Sequence, residues 1–178
     1  SGDVTNNGYI KSTAAAVNLI ADGGAVNQTG DITAGTSVLV RSKDSLVLND
    51  VITSGTTTDL ISQNKIDFDG KITSGGNTTL DSQTGTTMSG SINSGDGVKI
   101  VNHGISGAID ITGDVAAKND VSLLNENLFL TQGQTSISNT GKLTSEAGSV
   151  SAIANNGDII LLQPDVTKNS VEAAKDLT

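Results

Sequence analysis

The chain returns to nearly the same short motif about every 20 residues. An isoleucine stands next to small polar residues and glycine in each motif, and the isoleucines are Ile32, Ile52, Ile72 and Ile92. Ile10 precedes the first of them by 22 residues and begins the series. Chains with a fixed period of this length are built from units that bury their apolar side only by stacking on neighbouring units. The period therefore predicts a repeat architecture.

Each unit carries further apolar positions that alternate with polar ones. A second apolar residue follows the isoleucine by eight positions, at Val40, Leu60, Leu80 and Ile100. Alternation with a period of two is typical of short strands that bury one face. Gly, Ser, Thr, Asn and Asp separate the apolar groups, and these residues form turns because they tolerate positive φ or bond their own backbone.

Three short strands and three turns in about 20 residues form one coil of a solenoid whose strands pair in parallel with those of the next coil. The sequence therefore predicts an all-β fold, a right-handed parallel β-helix of about eight or nine coils, with the handedness taken from the general rule for parallel crossovers. Its predicted core ladder consists of Ile10, Ile32, Ile52, Ile72, Ile92, Val40, Leu60, Leu80 and Ile100.

Other repeat folds fit the sequence less well. Runs such as Thr56-Thr57-Thr58 are poor helix formers, which argues against an α-helical repeat. The pattern of leucine-rich repeats is not sustained. A β-sandwich would tolerate the alternation but would not require a constant 20-residue return.

Residues 1–163 are predicted to form one β-helix, and residues 164–178 a C-terminal tail or cap. The only proline and a run that could form a short helix, Val171–Leu177, both fall in this tail. The repeat weakens after Ile100, so the segment from Asn125 to Gln134 is predicted to bulge as a loop or to make a larger coil. The chain begins without methionine and the repeat is already present by Ile10, so we expect a piece of a longer rod.

Charge and composition exclude several functions. The net charge is −9, and aromatic residues make up 2% of the chain. Nucleic-acid binding is not expected, because phosphate backbones need a basic surface and single strands need stacking aromatics. No apolar run approaches the roughly 20 residues of a membrane span, so none is expected. The chain has no cysteine, which suits a protein that stays unfolded until it has crossed an outer membrane.

Two segments carry the motif most completely, Asn27–Gly35 (Asn-Gln-Thr-Gly-Asp-Ile-Thr-Ala-Gly) and Asn139–Ser145 (Asn-Thr-Gly-Lys-Leu-Thr-Ser). With the other coils, roughly from Gly8 to Leu162, they resemble the shaft repeats of filamentous-haemagglutinin-type exoproteins. The resemblance implies a large secreted adhesin of Gram-negative bacteria, exported by two-partner secretion through an outer-membrane transporter. Such rods act in virulence and also carry contact-dependent toxins.

The resemblance further implies a location outside the cell or on its surface, and receptors on host cells, matrix or neighbouring bacteria. The Asn-Pro-Asn motifs of the family's secretion domain are missing, since Pro164 follows Gln163. We therefore expect a segment of the shaft and not the export domain.

Enzymatic activity is the main alternative, because polysaccharide lyases and hydrolases also use parallel β-helices. The best candidate residues are Asp67 and Asp69, near Lys65 and Lys71, but an alternating charged strand face is typical of solvated surface. His103 is the only histidine, and no carboxylate or serine spacing around it indicates a triad. No catalytic residue and no cofactor are therefore predicted.

Metal binding is not predicted either, because the nonapeptide glycine and aspartate pattern of calcium-binding β-rolls is missing. A last alternative is ice binding by a ladder of threonines, which would consist of Thr33, Thr53, Thr73 and Thr144. The residues one position before the ladder residues form a second outward column. This column contains charged side chains, which are incompatible with a flat surface that matches ice. It consists of Asp31, Val51, Lys71 and Lys142.

Two sequons begin at Asn27 and Asn77 and are candidate glycosylation sites.

Overall fold

Short strands make up all the regular secondary structure that the computed structural model describes, which covers residues 2–128, 134–161, 171–173 and 175–176. Each coil contributes one strand to each of three parallel sheets, in the chain order sheet A, sheet B and sheet C. The predicted parallel β-helix is confirmed.

The strands follow one another coil by coil. The first three coils contain β1 (Val4–Asn6), β2 (Ile10–Ser12), β3 (Val17–Ala21), β4 (Val26–Gln28), β5 (Ile32–Ala34), β6 (Val38–Ser42), β7 (Leu46–Leu48), β8 (Val51–Ser54) and β9 (Thr58–Ser62). The next two contain β10 (Ile66–Phe68), β11 (Lys71–Ser74), β12 (Thr78–Ser82), β13 (Thr86–Met88), β14 (Ser91–Ser94) and β15 (Val98–Asn102). The remaining strands are β16 (Ile109–Ile111), β17 (Val115–Ala117), β18 (Val121–Asn125), β19 (Thr135–Asn139), β20 (Leu143–Ser145), β21 (Val150–Ala154), β22 (Asp158–Leu161) and β23 (Val171–Ala173).

The described strands form seven complete coils and two sides of an eighth, where eight or nine coils were predicted. The difference arises because the later coils are longer. In the ladder of sheet B, Val115 pairs with Ile92. Leu143 pairs with Val115 and lies 28 residues after it along the chain. The extra residues lie in the corner between sheets C and A.

Two predictions about irregular segments fall partly or wholly outside the described residues. The predicted bulge includes residues 129–133, which are not described; β18 ends at Asn125 and β19 begins at Thr135. The predicted domain boundary at residues 163 and 164 is likewise not described.

A strand takes the place of the short helix that the tail composition allowed. Val171–Ala173 pairs in parallel with β20 as strand β23. A helix of seven residues is marginal by itself, because its nucleation is unfavourable. Pairing with the edge of sheet B gives these residues backbone partners that the isolated run does not have.

The core consists of apolar ladders in which one residue per coil stacks on its counterpart. Ile32 pairs with Ile52 in sheet B, and the same register continues to Ile72 and Ile92. Of the nine predicted ladder residues, Ile10 in the first coil is half-buried, and the other eight are buried with at most 2% of their surface exposed. The constant register explains the constant period, because a shift of one residue would turn each isoleucine outward.

Most of the described corner glycines are required by close approach and not by positive φ, which corrects the sequence-based explanation. Among the described residues, positive φ occurs only at Gly85, Gly107 and Gly157. At Gly90, in the corner between sheets A and B, an added Cβ would lie 2.1 Å from the carbonyl oxygen of Gly70. Where this corner has glycine after the first coil, backbone stacks on backbone with no room for a Cβ, and the third coil has Asp50 there instead.

Buried hydroxyl groups also connect the coils. Ser54, Ser74 and Ser94 lie two residues after the ladder isoleucines, and each is at most 4% exposed. Ser74 Oγ donates a hydrogen bond to the carbonyl oxygen of Thr56, at 2.6 Å. Buried polar groups are costly without such partners. Ser74 and Ser94 therefore satisfy main-chain carbonyls at a corner that the apolar ladder does not reach, and Ser54 bonds to the hydroxyl groups of Thr58 and Ser74.

Candidate functional site

The outward side of sheet B, here called the sheet B face, carries the predicted threonine ladder. Thr33, Thr53 and Thr73 are adjacent in register on three successive coils. Asn93 and Ala116 occupy the next two positions and separate them from Thr144. The unbroken ladder is therefore three threonines long.

Charged residues border this ladder. Lys71 is exposed beside it and pairs in register with Val51. The Asp31 carboxylate accepts a hydrogen bond from the main-chain N–H of Val51, at 3.2 Å. In a later coil Asp114 accepts one from the main-chain N–H of Lys142, at 3.0 Å. The two aspartates thus connect neighbouring coils, and the surface beside the ladder is mixed in charge.

The structure gives separate partners to the carboxylates considered for catalysis. Asp67 Oδ1 lies 2.6 Å from Lys65 Nζ, in an ion pair whose side chains are each more than 40% exposed. Asp69 lies in the following corner, and its Oδ1 accepts a hydrogen bond from Ser89 Oγ at 2.7 Å. Exposed pairs of this kind contribute little to stability. Both contacts are typical of a solvated surface, and the bond from Ser89 to Asp69 also links adjacent coils.

The structure places two carboxylates beside His103 that the sequence did not indicate. His103 follows β15 in the corner between sheets C and A, and its Nδ1 lies 2.7 Å from Glu126 Oε2. Its Nε2 lies 3.6 Å from Asp81 Oδ2. The sequence revealed no carboxylate near His103, because Asp81 and Glu126 stand about one coil before and one coil after it. The 20-residue period does not lead to either of them, because Asp81 lies 22 residues before His103 and Glu126 lies 23 residues after it.

The environment of Asp81 is unusual for a surface carboxyl. Partial burial raises its pKa, while the nearby charges of His103 and Lys99 lower it and the charge of Glu126 raises it. The side chains of Asp81 and His103 are 30% and 36% exposed, respectively. We call Asp81, His103 and Glu126 the carboxylate–histidine cluster.

Buried asparagines lie behind this cluster. Asn102 Nδ2 donates to Asn125 Oδ1 at 3.0 Å, so the amides of successive coils are stacked. Asn125 Nδ2 in turn donates to the carbonyl oxygen of Gly107, at 3.1 Å, and to that of Ser136, at 2.8 Å. These bonds fix the corner from which His103 projects.

Both sequon asparagines reach the surface. Asn27 points outward from β4 and is half-buried, and Thr29 of its sequon is exposed. Asn77 is exposed in the corner before β12, where its Oδ1 accepts a hydrogen bond from the main-chain N–H of Gly97 at 2.9 Å.

Two further kinds of site are missing from the described residues. In the part of the chain that the structure describes, no three His, Cys, Asp or Glu side chains are placed to hold a metal ion together. Nor do the described residues include a helix long and apolar enough to cross a membrane.

No protein-family model, no curated protein and no solved structure matches this chain. A functional assignment therefore depends on its repeat, its fold and its surface.

Proposed function

We propose that this chain is a rod segment of a secreted bacterial surface adhesin. The rod holds binding or toxin domains away from the cell and makes weak adhesive contacts itself. The observation that carries the proposal is the stack of seven complete coils in constant register, with regular polar columns on the outside. Such a stack lengthens by about 4.8 Å for each coil added.

The physical properties of the stack suit a spacer. Each coil is held to the next by backbone pairing in three sheets, by the apolar ladders and by the buried serines. Every coil contacts mainly its two neighbours, so a rod of this kind can be extended by repetition without a change of core. A display shaft needs this combination of length and stiffness.

The resemblance to filamentous-haemagglutinin-type exoproteins supports the location and the export route. We propose a right-handed helix, exported by two-partner secretion through an outer-membrane transporter encoded by a Gram-negative bacterium. The absence of cysteine from the sequence suits an export route in which folding follows translocation.

Adhesion by the rod itself would use the sheet B face. Thr33, Thr53 and Thr73 present hydroxyl groups at the spacing of adjacent strands. Individually weak polar contacts gain avidity when several act together on one surface. The receptor would lie on a host cell, in extracellular matrix or on a neighbouring bacterium.

Saturable binding tests this proposal. The purified chain is applied to host cells, matrix proteins and a glycan array, beside a variant with Thr33, Thr53 and Thr73 replaced by Ala. Thr87→Ala is the matched control, because Thr87 points outward from sheet A. Adhesion by the sheet B face predicts binding that the triple variant loses and the control retains. Equal binding by all three proteins would contradict it, and binding by none would leave the rod as a spacer only.

A further inference from the structure

The sequence contains the dipeptide Asn-Gly twice, at Asn7-Gly8 and at Asn156-Gly157. In this dipeptide the main-chain nitrogen of glycine can attack the side-chain amide carbon of asparagine, because glycine has no Cβ to hinder the approach. A bond forms between that nitrogen and Cγ, the bond between Cγ and Nδ2 breaks, and ammonia leaves with the proton of the glycine nitrogen. Water then adds to one carbonyl of the resulting succinimide ring and opens it to aspartate or isoaspartate.

The corner between β1 and β2 leaves the first of these pairs open to this reaction. Asn7 and Gly8 are both exposed. The Gly8 N–H has no strand partner and donates to Asn6 Oδ1 at 3.2 Å, a neutral contact at the long end of the range for hydrogen bonds. Among the described residues, none accepts a hydrogen bond from Asn7 Nδ2. The nitrogen that attacks and the nitrogen that leaves are therefore both weakly held.

A hydroxyl group of the next coil contacts the amide that reacts. Thr29 Oγ1 donates a hydrogen bond to Asn7 Oδ1 at 2.7 Å. The N–H of Thr29 donates to the main-chain oxygen of Asn6 at 2.9 Å and fixes its position across the two coils. Negative charge develops on Asn7 Oδ1 when the Gly8 nitrogen attacks, and a donor already directed at such an oxygen stabilises the transition state.

The second pair is held in a different way. Asn156 and Gly157 are half-buried. Asn156 Nδ2 donates to the main-chain oxygen of Asn127, in the preceding coil, at 2.9 Å. The leaving nitrogen is thus bonded to a neighbouring coil, and no hydroxyl group of the described chain donates to Asn156 Oδ1. Local opening must precede reaction at this pair.

We propose that Asn7 is a site of spontaneous deamidation in the folded chain, that the Thr29 hydroxyl accelerates the reaction, and that the fold protects Asn156. Water is the only co-reactant. The product carries one more negative charge than the parent chain, and isoaspartate also adds one atom to the main chain of the corner between β1 and β2. The site is independent of the proposed adhesin role.

Peptide mapping by mass spectrometry tests the proposal on the purified chain, incubated at mildly alkaline pH in water enriched in heavy oxygen. The mass of each peptide distinguishes an acid from an amide, and heavy oxygen marks carboxyl groups formed during the incubation. In the folded chain, Asn7 should react at least about 3–10 times faster than Asn156. In urea the contacts of both pairs are lost, and the two rates should be similar.

Substitutions at Thr29 test the role of its hydroxyl group. Thr29→Val should slow the reaction of Asn7 by about 3–10-fold, the effect of one net hydrogen bond in the transition state, whereas Thr29→Ser keeps the hydroxyl group and the rate. Thr84→Val is the matched control, because Thr84 Oγ1 donates to Asn64 Oδ1 at 2.6 Å in the same way but Lys65 follows Asn64. It should leave the rate at Asn7 unchanged.

Gly8→Ala should lose most of the reaction at Asn7, because the added Cβ hinders the attack. The folded structure has room for this Cβ, which would meet only Asn6 Oδ1, at 3.8 Å. An Asn7 that stays intact in the folded chain while urea allows its conversion would overturn the proposal, and so would equal rates at Asn7 and Asn156 in the folded chain. Both comparisons use the parent chain and do not depend on the folding of a variant. A Thr29→Val chain that reacts as fast as the parent would overturn the role of the hydroxyl group.

Discussion

Replacing Gly90 with alanine tests the close stacking of the corners. The added Cβ would lie 2.1 Å from the carbonyl oxygen of Gly70, and that oxygen belongs to the backbone and cannot rotate away. Ordinary van der Waals contact begins at 3.4 Å, so the corner must open by about 1 Å. This opening weakens the hydrogen bond from Ser91 N–H to Gly70 O, which is 2.9 Å long.

The third coil shows how the chain accommodates a side chain at this corner. Asp50 stands where the neighbouring coils have glycine. There the N–H of Val51 donates to the Asp31 side chain, whereas the N–H of Ser91 donates to a main-chain oxygen. Lys71, one coil before Ser91, holds the position that Asp31 holds one coil before Val51, and its ammonium group cannot accept a hydrogen bond. Gly90→Ala therefore loses its bond without replacement.

The expected cost combines crowding of about 1–3 kcal/mol with about 1 kcal/mol for the weakened bond, or about 2–4 kcal/mol in all. In a chain of this size that lowers the thermal midpoint by about 5–15 °C. Gly8→Ala is the matched control, because Gly8 occupies the same corner in the first coil and its Cβ would meet only Asn6 Oδ1, at 3.8 Å.

The assay is thermal unfolding followed by circular dichroism, repeated as a urea titration because repeat proteins can unfold in more than one step. Gly8→Ala should keep the parent midpoint or raise it slightly, since alanine restricts the unfolded chain. A Gly90→Ala midpoint equal to that of the parent would refute the close-approach argument. So would equal losses in the two variants.

Substitutions at three further positions test the core and the cluster. Ile72→Ala should cost about 2–5 kcal/mol in urea unfolding, because Ile72 is fully buried in the sheet B ladder, whereas Val51→Ala beside it, 37% exposed, should cost much less. Ile72→Asp should uncouple the neighbouring coils, and an unchanged cooperative melt would show that the core is assigned wrongly. Ser74→Ala should cost about 0.5–1.5 kcal/mol, because the Thr56 carbonyl loses the bond from Ser74 Oγ and keeps the one from the Gly76 N–H, whereas Thr73→Ala should change stability by less than about 0.5 kcal/mol. Asp81→Asn, made in the His103→Gln background, should become more stable relative to that background as the pH rises from 3.5 to 6.5. Burial raises the pKa of Asp81, so its contribution to folding is present below the unfolded value and is lost as the pH rises through the folded value. A constant gap in urea unfolding across this range would contradict the last prediction.

The repeat predicted the fold and the apolar ladders because stacked coils need the same residue type at the same place in each turn. For this reason the period alone places Ile72 in the core. It does not place Ser74 in the core, because a serine two residues after the ladder isoleucine is equally typical of a turn. Only the register of β11 shows that Ser74 faces inward and donates to a main-chain oxygen.

The irregular part of the chain was harder to predict. The approach of Glu126 to His103 depends on the length of a corner that differs from coil to coil, so it cannot be read from local sequence. Local composition also allowed a helix from Val171, where pairing with β20 forms a strand. In both cases contacts between coils decide the structure, and these contacts are remote in sequence.

The most direct test of the proposed function is to locate the native polypeptide on intact cells of the organism that encodes it, which the proposal holds to be a Gram-negative bacterium. Antibodies raised against the folded chain are applied before and after the outer membrane is permeabilised, with an antibody against a cytoplasmic protein as the control. If the chain is part of the rod of a surface adhesin, we expect intact cells to be labelled, or the polypeptide to be recovered from the medium. We also expect external protease to remove the label. Labelling that requires permeabilisation and resists external protease would contradict a role as a displayed adhesin shaft.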